Sequence, residues 1–417
     1  MKILWICNSR FSADKIKTTG SWLQPLAEAV AACDGVEIGN VSFGNVDSVQ
    51  KKTFGNITQY TIPLRKQKDY GHTACGQTCK EVAQCEQDFQ PDIVHIWGTE
   101  SIWASIAAQG YLKTKLQLLE IQGVISSCTQ YYMGGLQWRD MLKTIHLKEI
   151  LMPWRSLLGK QNMFAKRGKK ETEYIKHFSL ISTQSEWVRQ HIHAINPSAQ
   201  LFNTRIMLRK QFLDAEPWQY HFKGTHPVIF TSASGAISYK GLHQVFKMVE
   251  LLKRDYPDVE LRVAGDMTIG NRLLDGYSVY LRDYINNNDL TSNVTYLGSI
   301  SAEQIITELQ KADVCVVPSF VETYCLALAE ALMVGVPCVV SYTSALPETA
   351  LPDKEALFYN SQDYVMAAAH ISRLLTDQKL AVQLSTAARQ RRLIENNPQN
   401  VVNTQLNIYK QILTQPC

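Results

Sequence analysis

The sequence lacks the features that mark several classes of protein. No apolar run is long enough to cross a bilayer, and the N-terminal MKILWICNSR has neither the apolar core nor the small-residue cleavage site of a signal peptide. There is no acidic or basic tail, and a net charge of +4 over 417 residues is too small to indicate nucleic-acid binding. We therefore expect a cytoplasmic protein that does not bind nucleic acid.

Common nucleotide and metal motifs are also missing. No G-x-G-x-x-G follows an apolar strand-like run, which argues against a nicotinamide dehydrogenase. The segment 235–241 has the wrong glycine spacing for a P-loop, and no D-x-D is present to hold a metal. We therefore expect no metal or other cofactor.

One cluster of cysteines is a candidate metal site. Cys75, Cys79 and Cys85 lie near His72, but no two of them form a C-x-x-C pair. The pattern over 73–88 predicts a helix with Cys75 and Cys79 one turn apart. The spacing favours packing of this helix over a zinc site, which is the alternative. Cys7, Cys315, Cys325 and Cys338 lie singly in apolar segments, as buried thiols do in a reducing compartment.

What the chain does have is an alternation of short apolar runs with longer amphipathic segments. This order is typical of α/β proteins with parallel sheets, and the length allows two doubly wound domains. The segment 205–226 loses periodicity and predicts the join between them. The predicted strands are 2–7, 92–97, 117–122, 178–183, 227–233, 259–265, 293–298, 313–319 and 336–341.

The segment 318-PSFVETYCLALAEALMVGVPCVVS-341 places Glu322 and Glu330 among apolar residues. It predicts a strand, then a helix over 323–334, then a second strand, and such units bind ligands at the carboxyl ends of their strands. In one continuous helix the two carboxylates would lie ~12 Å apart along the axis and point ~80° apart. They reach one ligand only if the helix begins after Glu322, where free N–H groups would favour a phosphate. The pair indicates a phosphorylated sugar, with a helix cap and a surface residue as the alternative.

With Gly335 and Pro337, these glutamates resemble the E-x7-E signature of retaining glycosyltransferases of the GT-B fold, family 4. Further segments resemble motifs of that family in the same order along nearly the whole chain. They are 18-TTGSWLQPLAEAV-30, 92-DIVHIWG-98, 121-IQGVIS-126, 231-TSASGAISYKGLHQVFK-247 with its Lys240-Gly241 pair, 294-VTYLGSISAEQIITELQKADVCVVPS-319, and Pro347-Glu348.

The resemblance implies two Rossmann-like domains that face a central cleft. Residues 1–208 would bind the acceptor, and a helix at about 395–417 would return to this domain. Residues 209–394 would bind the nucleotide sugar. The implied reaction moves a sugar from a nucleoside-diphosphate donor to an acceptor hydroxyl with retention of configuration and without a metal.

The resemblance also implies roles for single residues. Lys240 would lie near the diphosphate, Glu322 against the sugar hydroxyls and Glu330 on the ribose hydroxyls. The other implied contacts are the amides of Thr323, Tyr324, Cys325 and Leu326 facing the sugar or phosphate, Gly298 and Ser299 lining the base, and Gly20 beside the diphosphate.

Three features depart from the family pattern, and one of them is Ser344-Ala345 in place of a double glycine before the closing Pro-Glu pair, which bears on the choice of donor sugar. Gly235 stands where an arginine usually helps to hold the diphosphate, and Arg189, Arg262 and Arg272 are candidates to replace it. Gln122 replaces a histidine but could still hydrogen-bond a sugar hydroxyl.

His95 is a further catalytic candidate, because it lies near the carboxyl end of a predicted strand and would approach the acceptor. The alternative is a strand histidine that is buried and satisfied by its neighbours. Glu100, just beyond that strand, is a weaker candidate for contact with acceptor hydroxyls.

Residues 141–176 combine basic side chains with Trp and Leu. Interfacial helices use this composition, so the stretch predicts peripheral contact with an anionic membrane; a solvated helical face is the alternative. Together with the resemblance, it favours a glycan or lipid-linked glycan acceptor in bacterial surface polysaccharide synthesis. An epimerase of the same fold and an inactive assembly partner remain as other interpretations.

Overall fold

The computed structural model describes residues 1–12, 22–233, 235–266 and 275–414. They fall into two units. The first unit comprises Met1–Ser126, Phe164–Met207 and Glu395–Cys417, and the second comprises Ser127–Met163 and Leu208–Ile394. The predicted domains differ from these units mainly in 127–163, which groups with the second unit.

The first unit contains a sheet in the order β3-β4-β2-β1-β5-β6-β7-β8. Its neighbouring strands are parallel apart from the antiparallel β3–β4 pair. The central runs KILWI and IVHIW are buried because helices pack over the sheet, which is why they are almost wholly apolar. The strands are β1 (Lys2–Ile6), β2 (Glu37–Gly44), β3 (Gln50–Phe54), β4 (Ile57–Pro63), β5 (Ile93–Trp97), β6 (Gln117–Glu120), β7 (Leu180–Thr183) and β8 (Gln200–Asn203).

The second unit contains a parallel sheet in the order β11-β10-β9-β12-β13-β14. Because the strands are parallel, their carboxyl ends meet at one edge, where loops can build a ligand site. The strands are β9 (Val228–Ser232), β10 (Glu260–Ala264), β11 (Val294–Gly298), β12 (Val314–Val317), β13 (Cys338–Ser341) and β14 (Leu357–Tyr359).

Helices connect the strands in both units. None of the helices in the described ranges is long and apolar enough to cross a bilayer. Short 3-10 helices lie at Asp69–Gly71, Pro153–Arg155 and Ser238–Lys240. The α-helices are α1 (Leu23–Ala31), α2 (Gly76–Phe89), α3 (Trp103–Ala108), α4 (Ile125–Tyr131), α5 (Trp138–Lys143), α6 (Leu147–Leu151), α7 (Leu157–Ile175), α8 (Glu186–Ile195), α9 (Lys210–Leu213), α10 (Leu242–Leu252), α11 (Gly276–Asn287), α12 (Ala302–Lys311), α13 (Leu326–Val334), α14 (Leu346–Thr349), α15 (Tyr364–Thr376), α16 (Gln378–Glu395) and α17 (Pro398–Leu413).

All nine predicted strands are present, so the predicted α/β class is confirmed. The C-terminal helix α17 belongs to the first unit, where the Trp5 indole donates to Tyr409 Oη at 2.9 Å. The helix predicted over the cysteine cluster is α2, and it buries Cys79 and Cys85 in the core. In the parts of the chain that the structure describes, no group of three or more His, Cys, Asp or Glu side chains could hold a metal ion.

Candidate functional site

The carboxyl end of β12 borders a cavity of about 210 Å³ within the second unit. Five predicted donor-site residues line it, namely Lys240, Glu322, Cys325, Leu326 and Glu330. They come from the β9–α10 connection and from the loop and helix after β12, so the sheet edge brings them together. The other lining residues are Phe230, Ser232, Ile305, Leu309, Cys315, Val317, Pro318, Ser319 and Ala327.

Glu322 lies in the loop between β12 and α13. The helix begins only at Leu326, so the condition set by the sequence for two carboxylates at one site is met. The Oε1 atom of Glu322 lies 2.6 Å from Lys240 Nζ and accepts a hydrogen bond from Ser319 Oγ at 2.7 Å. The backbone N–H of Glu322 donates to Ser344 Oγ at 2.7 Å. These contacts fix the carboxylate at the cavity wall.

Lys240 is positioned by the tight turn after the 3-10 helix. Gly241 has φ +75°, and a Cβ there would lie 2.1 Å from the carbonyl oxygen of Pro318. Only glycine lets the two backbones approach this closely. Burial alone would lower the pKa of Lys240, but the Glu322 carboxylate more than offsets this and raises the pKa above its ordinary value. Lys240 is therefore a fixed cation at the cavity.

The N-terminus of α13 also lies at the cavity. Leu326 and Ala327, in its first turn, line the wall, and the first N–H groups of a helix have no partner within the helix. Cys325 precedes them in the left-handed conformation, with φ 74° and ψ 82°, and its side chain makes no cap hydrogen bond. Thr323 and Tyr324 lie in the same loop but do not line the cavity. The helix end adds partial positive charge beside Lys240.

Glu330 reaches the cavity from within α13 and is 8% exposed. Its Oε1 atom accepts from Arg209, whose Nε lies at 2.9 Å and whose Nη2 lies at 2.8 Å. Burial raises the pKa of Glu330, and Arg209 opposes the shift. The irregular sequence 205-RIMLRKQF-212 gave no signal for this partner, which is 121 positions away along the chain.

The backbone explains why the usual arginine is absent at Gly235. This residue has φ +146°, a conformation that L side chains rarely adopt, so an arginine there would be strained. Arg262 is paired with Glu308 and Glu260, and Arg189 belongs to the first unit, where it donates to the Leu201 carbonyl at 3.2 Å. Arg272 lies outside the described residues.

Other predicted ligand residues lie apart from this cavity. Gly298 ends β11 at the same sheet edge, followed by the exposed Ser299, but neither lines the cavity. Gln122 follows β6 in the first unit. Gly20 lies outside the described residues. Their roles stay predictions.

His95 is fully buried in β5, in the core of the first unit. Its Nδ1 atom lies 2.8 Å from Tyr409 Oη, and its Nε2 atom lies 3.9 Å from Glu120 Oε2. Burial holds the pKa of His95 well below its usual value. This placement favours the packing alternative over a position facing the acceptor, and a catalytic role for His95 stays a prediction.

Glu100 follows the carboxyl end of β5 and is partly exposed, whereas His95 is fully buried. Its carboxylate lies against Gly98 and Gly123, where added Cβ atoms would come within 2.3 and 2.4 Å of its oxygens. Burial raises the pKa of Glu100 to about 7. A carboxyl group that titrates near neutral pH can accept a proton or bind a hydroxyl.

The second unit contains a stretch that matches a known protein family. Residues 214–391 match the family model described as glycosyl transferases group 1. This part of the chain is a group 1 glycosyltransferase domain. An uncharacterized glycosyltransferase of Bacillus subtilis is 28% identical over 173 residues, which cover 42% of this chain and 46% of the relative. The matched region thus spans less than half the length of that curated relative.

Solved structures resemble the whole chain. Sucrose-phosphate synthase from Thermosynechococcus elongatus has a TM-score of 0.71 at 15% identity, with 99% of this chain and 98% of that chain covered. An E. coli structure described as trehalose-6-phosphate bound with UDP-2-fluoro glucose has a TM-score of 0.67 at 13% identity over all of both chains. The fold is GT-B, as the sequence resemblance implied.

Proposed function

We propose that the protein is a retaining glycosyltransferase of family 4 that moves a sugar from a nucleoside-diphosphate sugar to an acceptor hydroxyl. The observation that carries this proposal is the convergence of Lys240, Glu322 and Glu330 on one cavity beside the N-terminus of α13. A nucleoside-diphosphate sugar carries a diphosphate between its ribose and the donor sugar. Fixed positive charge suits the diphosphate, and the two anchored carboxylates can accept hydrogen bonds from the hydroxyls of the two sugars.

In this proposal the charge on the leaving group decides the rate. Lys240 and the first N–H groups of α13 stabilise the nucleoside diphosphate as its bond to the sugar breaks, without a metal. Glu330 accepts hydrogen bonds from the ribose, and Glu322 accepts them from the donor sugar. No protein nucleophile is assigned: the leaving phosphate helps to deprotonate the acceptor on the same face of the sugar.

We assign the acceptor to the glycans or lipid-linked glycans of bacterial surface polysaccharide synthesis. A lipid-linked acceptor would bring a cytoplasmic enzyme to the inner face of the cytoplasmic membrane. Glu100 and Gln122 are the first-unit residues that we propose to contact acceptor hydroxyls.

The first test measures thermal melting with UDP, GDP and ADP. At least one nucleotide should raise the melting temperature, and Lys240→Met and Glu330→Gln should remove the shift. Glu355→Gln is the matched control, because Glu355 is also buried and its carboxylate lies 2.8 Å from Arg391 but does not line the cavity. If no nucleotide shifts melting, or if Glu355→Gln removes the shift as well, the donor site is wrongly assigned.

The second test separates transfer from epimerisation. Incubation with a panel of donor sugars and no acceptor should slowly release free sugar and nucleoside diphosphate, as water takes the place of the acceptor hydroxyl. A changed sugar still attached to its nucleotide would support the epimerase interpretation. Nucleotide binding without either product would support an inactive assembly partner.

A further inference from the structure

Residues 138–158 expose an unusual set of apolar side chains. The segment contains α5, α6, a 3-10 helix and the start of α7, and it belongs to the second unit. Elsewhere in the described ranges, large exposed apolar side chains occur singly or as adjacent pairs. We call this segment the 138–158 surface; its exposed members are Trp138 (65%), Leu142 (56%), Ile145 (41%), Leu147 (70%), Ile150 (64%), Leu151 (68%), Trp154 (67%) and Leu158 (52%).

Two polar residues of this segment, Thr144 and Glu149, face the protein instead. Glu149 is 4% exposed and accepts hydrogen bonds from the backbone N–H groups of His146 at 3.2 Å and Gly276 at 3.1 Å. Thr144 is also buried, and its carbonyl oxygen packs so closely on Gly276 that a Cβ there would lie 1.7 Å away. The segment is anchored through polar contacts and turns its apolar side chains outward, the reverse of an ordinary surface helix.

The charges are sorted in the same way. The acidic residues are drawn inward: Glu149 is buried, and Asp140 has 18% side-chain exposure between Lys143 and Lys247. The basic side chain of Lys143 is 67% exposed, and Arg139 is exposed beside Trp138. The outward face is therefore apolar and basic, which complements anionic lipid headgroups above an acyl boundary.

We propose that the 138–158 surface docks on an anionic lipid bilayer. Leu and Ile side chains enter the acyl boundary, Trp138 and Trp154 lie at headgroup level, and the basic side chains contact lipid phosphates. Lipid binding itself is independent of the transfer reaction, but its use to approach a lipid-linked acceptor rests on the proposed function. The 138–158 surface differs from the basic stretch 141–176 of the sequence analysis. It begins at Trp138 and leaves out Phe164–Lys176, which belongs to the first unit.

The test is sedimentation of the full chain with vesicles of phosphatidylcholine alone or mixed with phosphatidylglycerol, at low and high salt. The protein should bind the anionic vesicles, less at high salt. Leu147→Asn with Leu151→Asn should lower the partition coefficient at least about tenfold, since buried apolar area drives insertion. The matched control is Val365→Asn with Ile394→Asn, which changes side chains 57% and 66% exposed outside this surface and should leave binding intact.

Two further measurements complete the test. Sedimentation velocity reports the oligomeric state, and thermal melting with and without nucleotide reports folding and the donor site. Both double variants should retain the wild-type melting temperature and the wild-type response to the nucleotide found by the melting test, so a loss of lipid binding cannot come from misfolding or a failed donor site. Absence of binding to anionic vesicles, or equal loss in the control, overturns the proposal. A dimer that dissociates in Leu147→Asn with Leu151→Asn also overturns it, because the surface would then be an interface between two copies.

Discussion

At the scale of single residues, the Arg209–Glu330 pair is the feature that most alters the donor site. Both guanidinium donors meet one carboxylate oxygen, Oε1, at 2.9 and 2.8 Å. Glu330 lines the cavity whereas Arg209 does not, so Arg209 acts through Glu330 as a positioning residue. It keeps a buried carboxylate oriented and opposes the rise of its pKa.

Replacing Arg209 with Met should weaken binding of the nucleotide that raises the melting temperature at least about tenfold, because a buried charge loses its partner. The pKa of Glu330 should rise further without Arg209, so the loss should grow as the pH falls. Arg209→Lys should recover part of the affinity. Isothermal titration measures the nucleotide affinity of each variant. Arg391→Met is the control, because it removes the partner of another buried carboxylate, Glu355. A loss independent of pH would contradict the positioning role.

Cys325 is strained, since a non-glycine residue with φ 74° is costly. Cys325→Gly should raise the free energy of unfolding by up to about 1 kcal/mol, allowing for the entropy that glycine loses on folding. Cys325→Ala keeps the Cβ and should give no gain. Urea denaturation compares the two variants; an equal gain in both would show that the thiol, not the backbone, is responsible.

At the scale of elements, the turn between β9 and α10 sets the position of Lys240. Gly241 allows the turn to pass beside Pro318, at the end of β12, so two loops from different strands meet at the cavity. The sequence signals this turn through its Lys-Gly pair. It does not signal the contact that demands glycine, because Pro318 lies far along the chain.

Gly241→Ala should therefore lower the free energy of unfolding by about 2 kcal/mol or more and remove the response to the nucleotide that stabilises the wild type. The added Cβ would lie 2.1 Å from the Pro318 carbonyl oxygen, so the turn must shift and carry Lys240 with it. Gly224→Ala is the matched control: φ is +95° there, but nothing lies within 4 Å of the new Cβ. Gly224→Ala should lower the free energy of unfolding only through backbone strain, and its response to the nucleotide should be that of the wild type. Equal effects of both variants would show that the close approach is unimportant.

At the scale of the whole molecule, the sequence predicts the strands and helices that are buried and have a regular apolar pattern. Strands such as β5 are recognised because helices cover them and their residues are apolar. The edge strand β3, QKKTF, is almost fully exposed and carries no such pattern. In β2, Asn40 and Ser42 are buried polar residues that hydrogen-bond to Gln59 of β4, so the segment resembles a loop in sequence. Arg209 and the grouping of 127–163 depend on long-range packing, which periodicity does not encode.

The core of the first unit should make stability depend on pH in opposite directions at two residues. Burial raises the pKa of Glu120 to about 8, so the folded state holds a proton that the unfolded state releases, and stability falls as pH rises from about 4.5 to 8. Burial lowers the pKa of His95, so stability falls as pH drops below about 6.5, where the unfolded histidine gains a proton.

Glu120→Gln, which mimics the protonated carboxyl, should therefore gain about 2–5 kcal/mol relative to wild type on going from about pH 5 to about pH 9. The gain should appear as a shift of several degrees in the melting temperature of the first unit. His95→Gln is the opposed control, since its stability relative to wild type should be more favourable at the acid end. Thermal melting of the wild type, Glu120→Gln and His95→Gln across this pH range tests both expected pH dependences. Parallel curves for Glu120→Gln and wild type would mean that the folded wild-type protein takes up no extra proton over this range, and would contradict the raised pKa of Glu120.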